Sequence, residues 1–246
     1  MVWIWHFGKV ASALDVATRL IASERLGIWD SVLVQSQSAG RGQMRRSWFS
    51  PPGNIFAALR LPLVEPFASQ AAAPAVGCLV AQAMLRMGLK VKIKWPNDIV
   101  GFTANNCAVK IAGILLEERA GSLLAGIGVN VSKAPPKVVL REDAALSASC
   151  LADIAPEFLR RYPSSSLVWL SLVKRAISIY DSNDFIRKWQ ILAEDLLLWK
   201  QQSVLVKDGN QAMHGKLLGL SLTGELILSC NATQKHCHGG SLALAE

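Results

Sequence analysis

Apolar and polar residues alternate from Val2 to Phe7 and predict a strand, after which helical spacing runs from about Ser12 to Leu26. Ser12 stands where a hydroxyl can cap that helix. Strands are expected over Ser31 to Gln35 and Asn54 to Leu61, on either side of a basic loop, followed by an alanine-rich helix. Next come a strand over Lys90 to Trp95, a turn at Pro96-Asn97-Asp98, and the apolar strands AVKIAGILLEE and SLLAGIGVNV. From Ala144 to Leu198 the period is helical, with Trp169, Leu172, Val173 and Ala176 on one stripe. Arg160, Arg161, Lys174, Arg175, Arg187 and Lys188 fall on the other side, as expected of solvated faces. Beyond Trp199-Lys200 the pattern shortens to SVLVKD, AMHGKLLGLS, GELILSC and GGSLALAE, with turn signals at Asp208-Gly209-Asn210 and Thr223-Gly224. This predicts an α+β chain: a mixed sheet flanked by helices over residues 1–199, then a small β-barrel or curled sheet over 200–246.

Composition narrows the picture. Apolar residues make up 51% of the 246, enough for a buried core. No charge lies between Pro66 and Leu85, but Pro74, Gln70, Gln82 and the dominance of alanine favour a buried helix over a membrane span. The first ten residues have neither a basic start nor a small-residue cleavage site, so a signal peptide is not expected. A net charge of +8 favours anionic partners: nucleic acid, a membrane surface or phosphorylated small molecules. Five cysteines without a C-x-x-C argue against a disulfide framework or zinc ribbon and fit a reducing cytoplasm. His236-Cys237-His238 is the one metal-like cluster, but its members are consecutive and no second cluster accompanies it.

Residues 36–54, SQSAGRGQMRRSWFSPPGN, lack any regular period and read as a binding loop. Gly40 and Gly42 let backbone N–H groups approach an anion, and Arg41 can fork onto a carboxylate or phosphate. The loop matches neither the phosphate-binding G-x-x-x-x-G-K-[ST] pattern nor the dinucleotide G-x-G-x-x-G pattern. Lys110 lies on a mostly apolar strand, where an unpaired ammonium is costly, so it calls for an anionic partner. Asp98 follows a Pro-Asn turn and has turn chemistry as its alternative role. Gly113, Gly126 and Gly128 inside strands indicate bulges or close backbone approach to a ligand.

Taken in order, Ser12 with its helix, QSAGRG (37–42), WFSP (48–51), KWPND (94–98), KIAGILLE (110–117) and GIGVNV (126–131) resemble the biotin protein ligases. HGKLLGLSLTGELIL and the terminal GGSLAL resemble that family's C-terminal SH3-like domain, and residues 133–166 match least. The resemblance implies a fold like the class II aminoacyl-tRNA synthetases and biotin synthetases. It also implies a ligase with ATP and biotin as substrates and Mg²⁺ as helper. Biotin's carboxylate would attack the α-phosphate of ATP, and a lysine of a biotin carboxyl carrier domain would then attack biotinyl-5′-AMP. By similarity, Lys110 bridges carboxyl and phosphate, and Arg41 with Gly40 and Gly42 holds the adenylate. Ser12 and Gln37 face biotin's ring, and Trp48 closes over the nucleotide. Lys94, Asn97 and Asn130 line the adenylate side, and Asp98 organises Mg²⁺ or the phosphates.

Two positions depart from the family's usual residues: Gln43 replaces an arginine and Ala13 a threonine, so the adenylate is expected to be held loosely unless Arg45 or Arg46 compensates. A non-catalytic biotin or nucleotide sensor, and a lipoyl or octanoyl transferase using Cys107, are the alternative readings. No helix-turn-helix pattern precedes Val2, so DNA binding is not expected; a homodimer through a sheet edge is.

Overall fold

A computed structural model describes residues 2–136, 146–182, 184–231 and 233–245. The first half alternates strands and helices: β1 (Ile4–Val10), α1 (Ala13–Ala22), β2 (Ser31–Gln37), β3 (Ile55–Leu61), α2 (Ala72–Arg86), β4 (Lys92–Lys94), β5 (Asp98–Phe102), β6 (Ala108–Arg119) and β7 (Ser122–Val129). These strands form one seven-stranded sheet in the order β1-β2-β3-β7-β6-β5-β4. Only β1 and β2 run parallel, because α1 is the crossover between them. Among the described residues four helices follow: α3 (Leu151–Ile154), α4 (Pro156–Arg161), α5 (Ser165–Tyr180) and α6 (Asp184–Leu196).

The helices divide between the two sheet faces according to their apolar stripes. Leu14, Val16, Ala17, Leu20 and Ile21 of α1 pack on Val32, Val34, Phe56, Ala58 and Leu124. The opposite face carries the larger core, where α2, α5 and α6 bury Leu79, Met84, Trp169, Leu172, Val173, Ala176 and Phe185. The stripe expected on α5 is therefore the buried one. Arg175 departs from its expected solvated role, donating to the Ser171 carbonyl and the Tyr162 hydroxyl. Fifteen residues long, α2 is covered by this core, and among the described residues no helix is long and apolar enough to cross a membrane.

A second sheet holds β8 (Ser203–Asp208), β9 (Gln211–Leu220), β10 (Leu226–Cys230), β11 (Thr233–Cys237) and β12 (Ser241–Leu244), in the antiparallel order β11-β10-β9-β8-β12. Among the described residues β11 and β12 stay at opposite ends, so the sheet is open where a barrel would pair them. It is joined to the first by the buried bond from Trp95 Nε1 to the Gly224 carbonyl, 2.9 Å, and by Glu194 accepting the Leu220 N–H.

Several boundaries differ from the sequence pattern. β1 continues to Val10 and α1 stops at Ala22. β4 contains only Lys92–Lys94, and Asp98 opens a strand. The helical region starts at Leu151; the expected start at Ala144 lies outside the described residues. Ser12 occupies the N-cap position of α1 but makes no side-chain cap. The carbonyl oxygen of Gln37's side chain takes the Ala13 N–H instead, at 2.9 Å. The His-Cys-His run lies at the end of β11, with His238 just beyond it: extended-chain alternation buries Cys237 while His236 and His238 bracket Glu225 at 2.7 and 2.8 Å, so the three side chains do not converge.

Candidate functional site

Pairing across the sheet lines up the central residues. Lys94 faces Asp98, Asp98 faces Gly113, Gly113 faces Gly128, and Gly128 faces Phe56. Residues opposite one another on antiparallel strands project to the same face, here the α1 face. A carboxylate flanked by lysines thus stands beside a bare two-glycine floor.

Trp48 rests on that floor. A Cβ on Gly128 would lie 2.5 Å from Trp48 Cε2, and one on Gly113 would lie 2.8 Å from Trp48 Cζ3. Neither position has room for any other side chain, which explains the strand glycines. Lys110 Nζ lies 5.3 Å from the indole centroid and 2.6 Å from Asp98 Oδ1; Lys94 Nζ is 3.9 Å from the other Asp98 oxygen. The indole N–H is buried with no hydrogen-bond partner among the described residues.

The loop that delivers Trp48 is folded on itself. Trp48 N–H donates to the Gly40 carbonyl and Gly42 N–H donates to the Arg46 carbonyl at 2.7 Å. Gly42's amide is therefore engaged within the loop rather than offered to an anion. A Cβ at Gly40 would meet Ser50 Oγ at 2.7 Å and the Trp48 carbonyl at 2.8 Å, so glycine is required. Ser50 also accepts from the Gln37 amide, which ties the loop to β2 and α1. At the loop tip Met44 has φ of 55°, a strained value for a side-chain-bearing residue. The Arg46 side chain hydrogen-bonds Met44 Sδ, and the side chain of Arg45 lies outside the described set.

Arg41 does not reach Lys110. Its guanidinium forks onto Asp15 at 2.6 and 3.3 Å, with the Ser12 hydroxyl at 3.5 Å. Asp15 also takes Arg119 at 2.8 Å, and Arg119 pairs with Glu117. The Arg41 hydrogen bond holds the Asp15 carboxyl below its ordinary range against the opposing effect of burial, and Asp15 raises Arg41 in return. Two asparagines tie backbone: Asn97 Nδ2 donates to the Ile114 carbonyl, and buried Asn130 donates to that of Ser149. Thus Ser12, Gln37, Gly40 and Arg41 gather at one end, Lys94, Asp98 and Lys110 at the other, and Trp48 lies between them. Ser50 lies in the WFSP segment but was given no role from sequence, and Asp15 and Arg119 were missed because they carry no motif of their own.

Asp98 was expected to organise Mg²⁺ or the phosphates. Both oxygens of that carboxylate already face ammonium groups, and the described residues contain no grouping of three His, Cys, Asp or Glu side chains. This donor set does not fit a divalent ion held by protein.

Residues 21–133 match the biotin/lipoate A/B protein ligase family. The chain is 27% identical over 247 aligned positions to the bifunctional ligase/repressor BirA of Bacillus subtilis, covering 98% of this chain and 73% of BirA. A biotin–[acetyl-CoA-carboxylase] ligase of Paracoccus denitrificans is 28% identical over 235 residues, with 89% of each chain covered. The fold matches a biotin protein ligase from Aquifex aeolicus, solved with biotin and ATP, at a TM-score of 0.74. That match covers 99% of this chain and 98% of the other at 22% identity, and it shows the fold alone.

Proposed function

We propose that this chain is an ATP-dependent biotin protein ligase that makes biotinyl-5′-AMP and transfers biotin to a lysine of a carboxyl carrier domain. The observation that carries this reading is Lys110, held by Asp98 at 2.6 Å beside the Gly113–Gly128 floor. It supplies the strand-borne cation that the chemistry needs.

In the first step a biotin carboxylate oxygen bonds to the α-phosphorus of ATP while the bond to the pyrophosphate oxygen breaks. In the second, the carrier amine attacks the acyl carbon, loses a proton, and AMP leaves. Both steps place negative charge on one phosphate and one carboxyl, where a fixed ammonium stabilises the transition state more than the separated reactants. Asp98 orients that ammonium and shares it with the substrate, while Lys94 adds positive potential behind it. Ser12 and Gln37 serve the biotin end, with Gly40 setting the loop close to them. Trp48, Asn97 and Asn130 shape the adenylate end, the two asparagines by fixing backbone. Mg²⁺, on this reading, arrives bound to the phosphates of ATP. Residues 1–199 form the catalytic unit, and residues 200–246 brace it through Trp95 and Glu194.

Cys107 is exposed at the β5–β6 turn with its Sγ toward the Asn105 carbonyl, while Lys110 is paired with Asp98, so nothing favours the cysteine-dependent transferase reading. Biotin-dependent exchange of labelled pyrophosphate into ATP tests the first step. Wild-type protein should catalyse it and a Lys110→Gln variant should lose at least about a hundredfold, as for removal of one oxyanion donor. Equal rates would refute the assignment.

A further inference from the structure

Arg41 is the loop side chain suited to bind an anion, yet the two terminal nitrogens of its guanidinium are already paired within the protein. Two of its nitrogens face Asp15, at 2.6 and 3.3 Å, and its Nε is buried with no partner among the described residues. Asp15 belongs to the first turn of α1, one turn from Ser12, and shares its Oδ1 between Arg41 and Arg119. With Glu117 on Arg119, the cluster of two carboxylates and two guanidiniums is neutral and offers an incoming anion no net attraction. Each side chain of the Asp15–Arg41 pair is about one-third exposed, so the pair is held weakly enough to exchange partners.

We propose that Asp15 is a positioning residue that stands in for the ligand's phosphate: it holds Arg41, and with it the 40–48 loop, until an acyl phosphate takes the guanidinium over. The proposal rests on the ligase reading and deepens it. A carboxylate presents two oxygens to a guanidinium fork as a phosphate does, so one fork serves both in turn. Arg119 retains Glu117 when Asp15 loses Arg41, so the carboxylate of Asp15 keeps one cation throughout the exchange. The unpartnered Nε gives Arg41 a further donor for a phosphate oxygen, which Asp15 does not use. Because the stand-in competes with the ligand, it lowers affinity for the adenylate. It therefore acts in the same direction as the missing arginine at Gln43.

The test uses biotinol-5′-AMP, a stable phosphodiester analogue of the adenylate, titrated calorimetrically into wild-type, Asp15→Asn, Arg41→Ala and doubly substituted protein. Freeing Arg41 should tighten Asp15→Asn about threefold to tenfold, the size of one partly exposed ion pair. The gain should vanish in the Arg41→Ala background, and Asp15→Glu should restore wild-type affinity. A residue that merely stabilised the loop for binding would move affinity the other way. Unchanged or weaker binding by Asp15→Asn therefore overturns the proposal. A second arm needs no ligand: trypsin should cleave after Arg41 and Arg46 several-fold faster in Asp15→Asn, and unchanged cleavage also overturns it. If wild-type protein binds no analogue, the ligase reading fails, and the trypsin arm alone decides whether Asp15 holds the loop.

Discussion

Adding one methyl group at Gly128 tests the seat of Trp48. The new Cβ would lie 2.5, 2.6 and 2.7 Å from Cε2, Nε1 and Cζ2 of the indole. Ordinary carbon contacts are about 3.5–4.0 Å, so the ring must retreat by about 1 Å or leave. The strand has no freedom to yield, because β7 is hydrogen-bonded to β3 on one side and β6 on the other. If the indole leaves and exposes roughly 100 Å² of apolar surface, the cost at about 25 cal/mol/Å² is about 2.5 kcal/mol. Partial retreat lowers this to about 1–2 kcal/mol. Urea unfolding of Gly128→Ala should show that loss, whereas in a Trp48→Ala background the same change should be nearly neutral, a coupling of about 1 kcal/mol or more. Gly8→Ala, on the exposed edge strand with open space around it, is the control and should stay within about 0.5 kcal/mol of wild type. An equal loss in both backgrounds would refute the seat.

Other outcomes follow from the same geometry. Buried Asn54 accepts three consecutive backbone N–H groups, from Val131, Ser132 and Lys133, and donates to the Lys133 carbonyl; Asn54→Ala should cost about 2–4 kcal/mol in denaturant unfolding. Trp95→Phe removes the donor to the Gly224 carbonyl and should cost about 1–3 kcal/mol, with faster amide exchange at residues 221–225 as the local marker. Arg41 lowers the Asp15 carboxyl below its ordinary 3.8, so its stabilisation is complete above that value and is lost as pH falls through the lowered one. The stability gap between wild type and Asp15→Asn should be flat near neutrality and close only in strong acid; a gap that closes near pH 6 would contradict the pair.

Much of the site was legible because its residues answer to the backbone. Gly40, Gly113 and Gly128 are glycines where a side chain does not fit, and an isolated lysine on an apolar strand announced a need for an anion. The partners were not legible. Asp15 reads as one more polar position on an amphipathic helix, and nothing in periodicity says that it meets Arg41 twenty-six residues later and Arg119 beyond that. The Ser12 cap failed for a related reason, since Gln37, distant in sequence, reached the Ala13 N–H first. Short strands escaped as well: β5, paired between β6 and β4, begins within a turn motif, and the polar edge strand β11 has an apolar residue only at Cys237. The open second sheet depends on which ends pair, and alternation within single strands does not encode that.

Transfer of labelled biotin to a purified carboxyl carrier domain, with ATP present or withheld, tests the central claim most directly. Label should appear on the carrier's lysine only with ATP and wild-type protein, and almost none with Lys110→Gln. Label that needs no ATP, or that persists undiminished without Lys110, would contradict it.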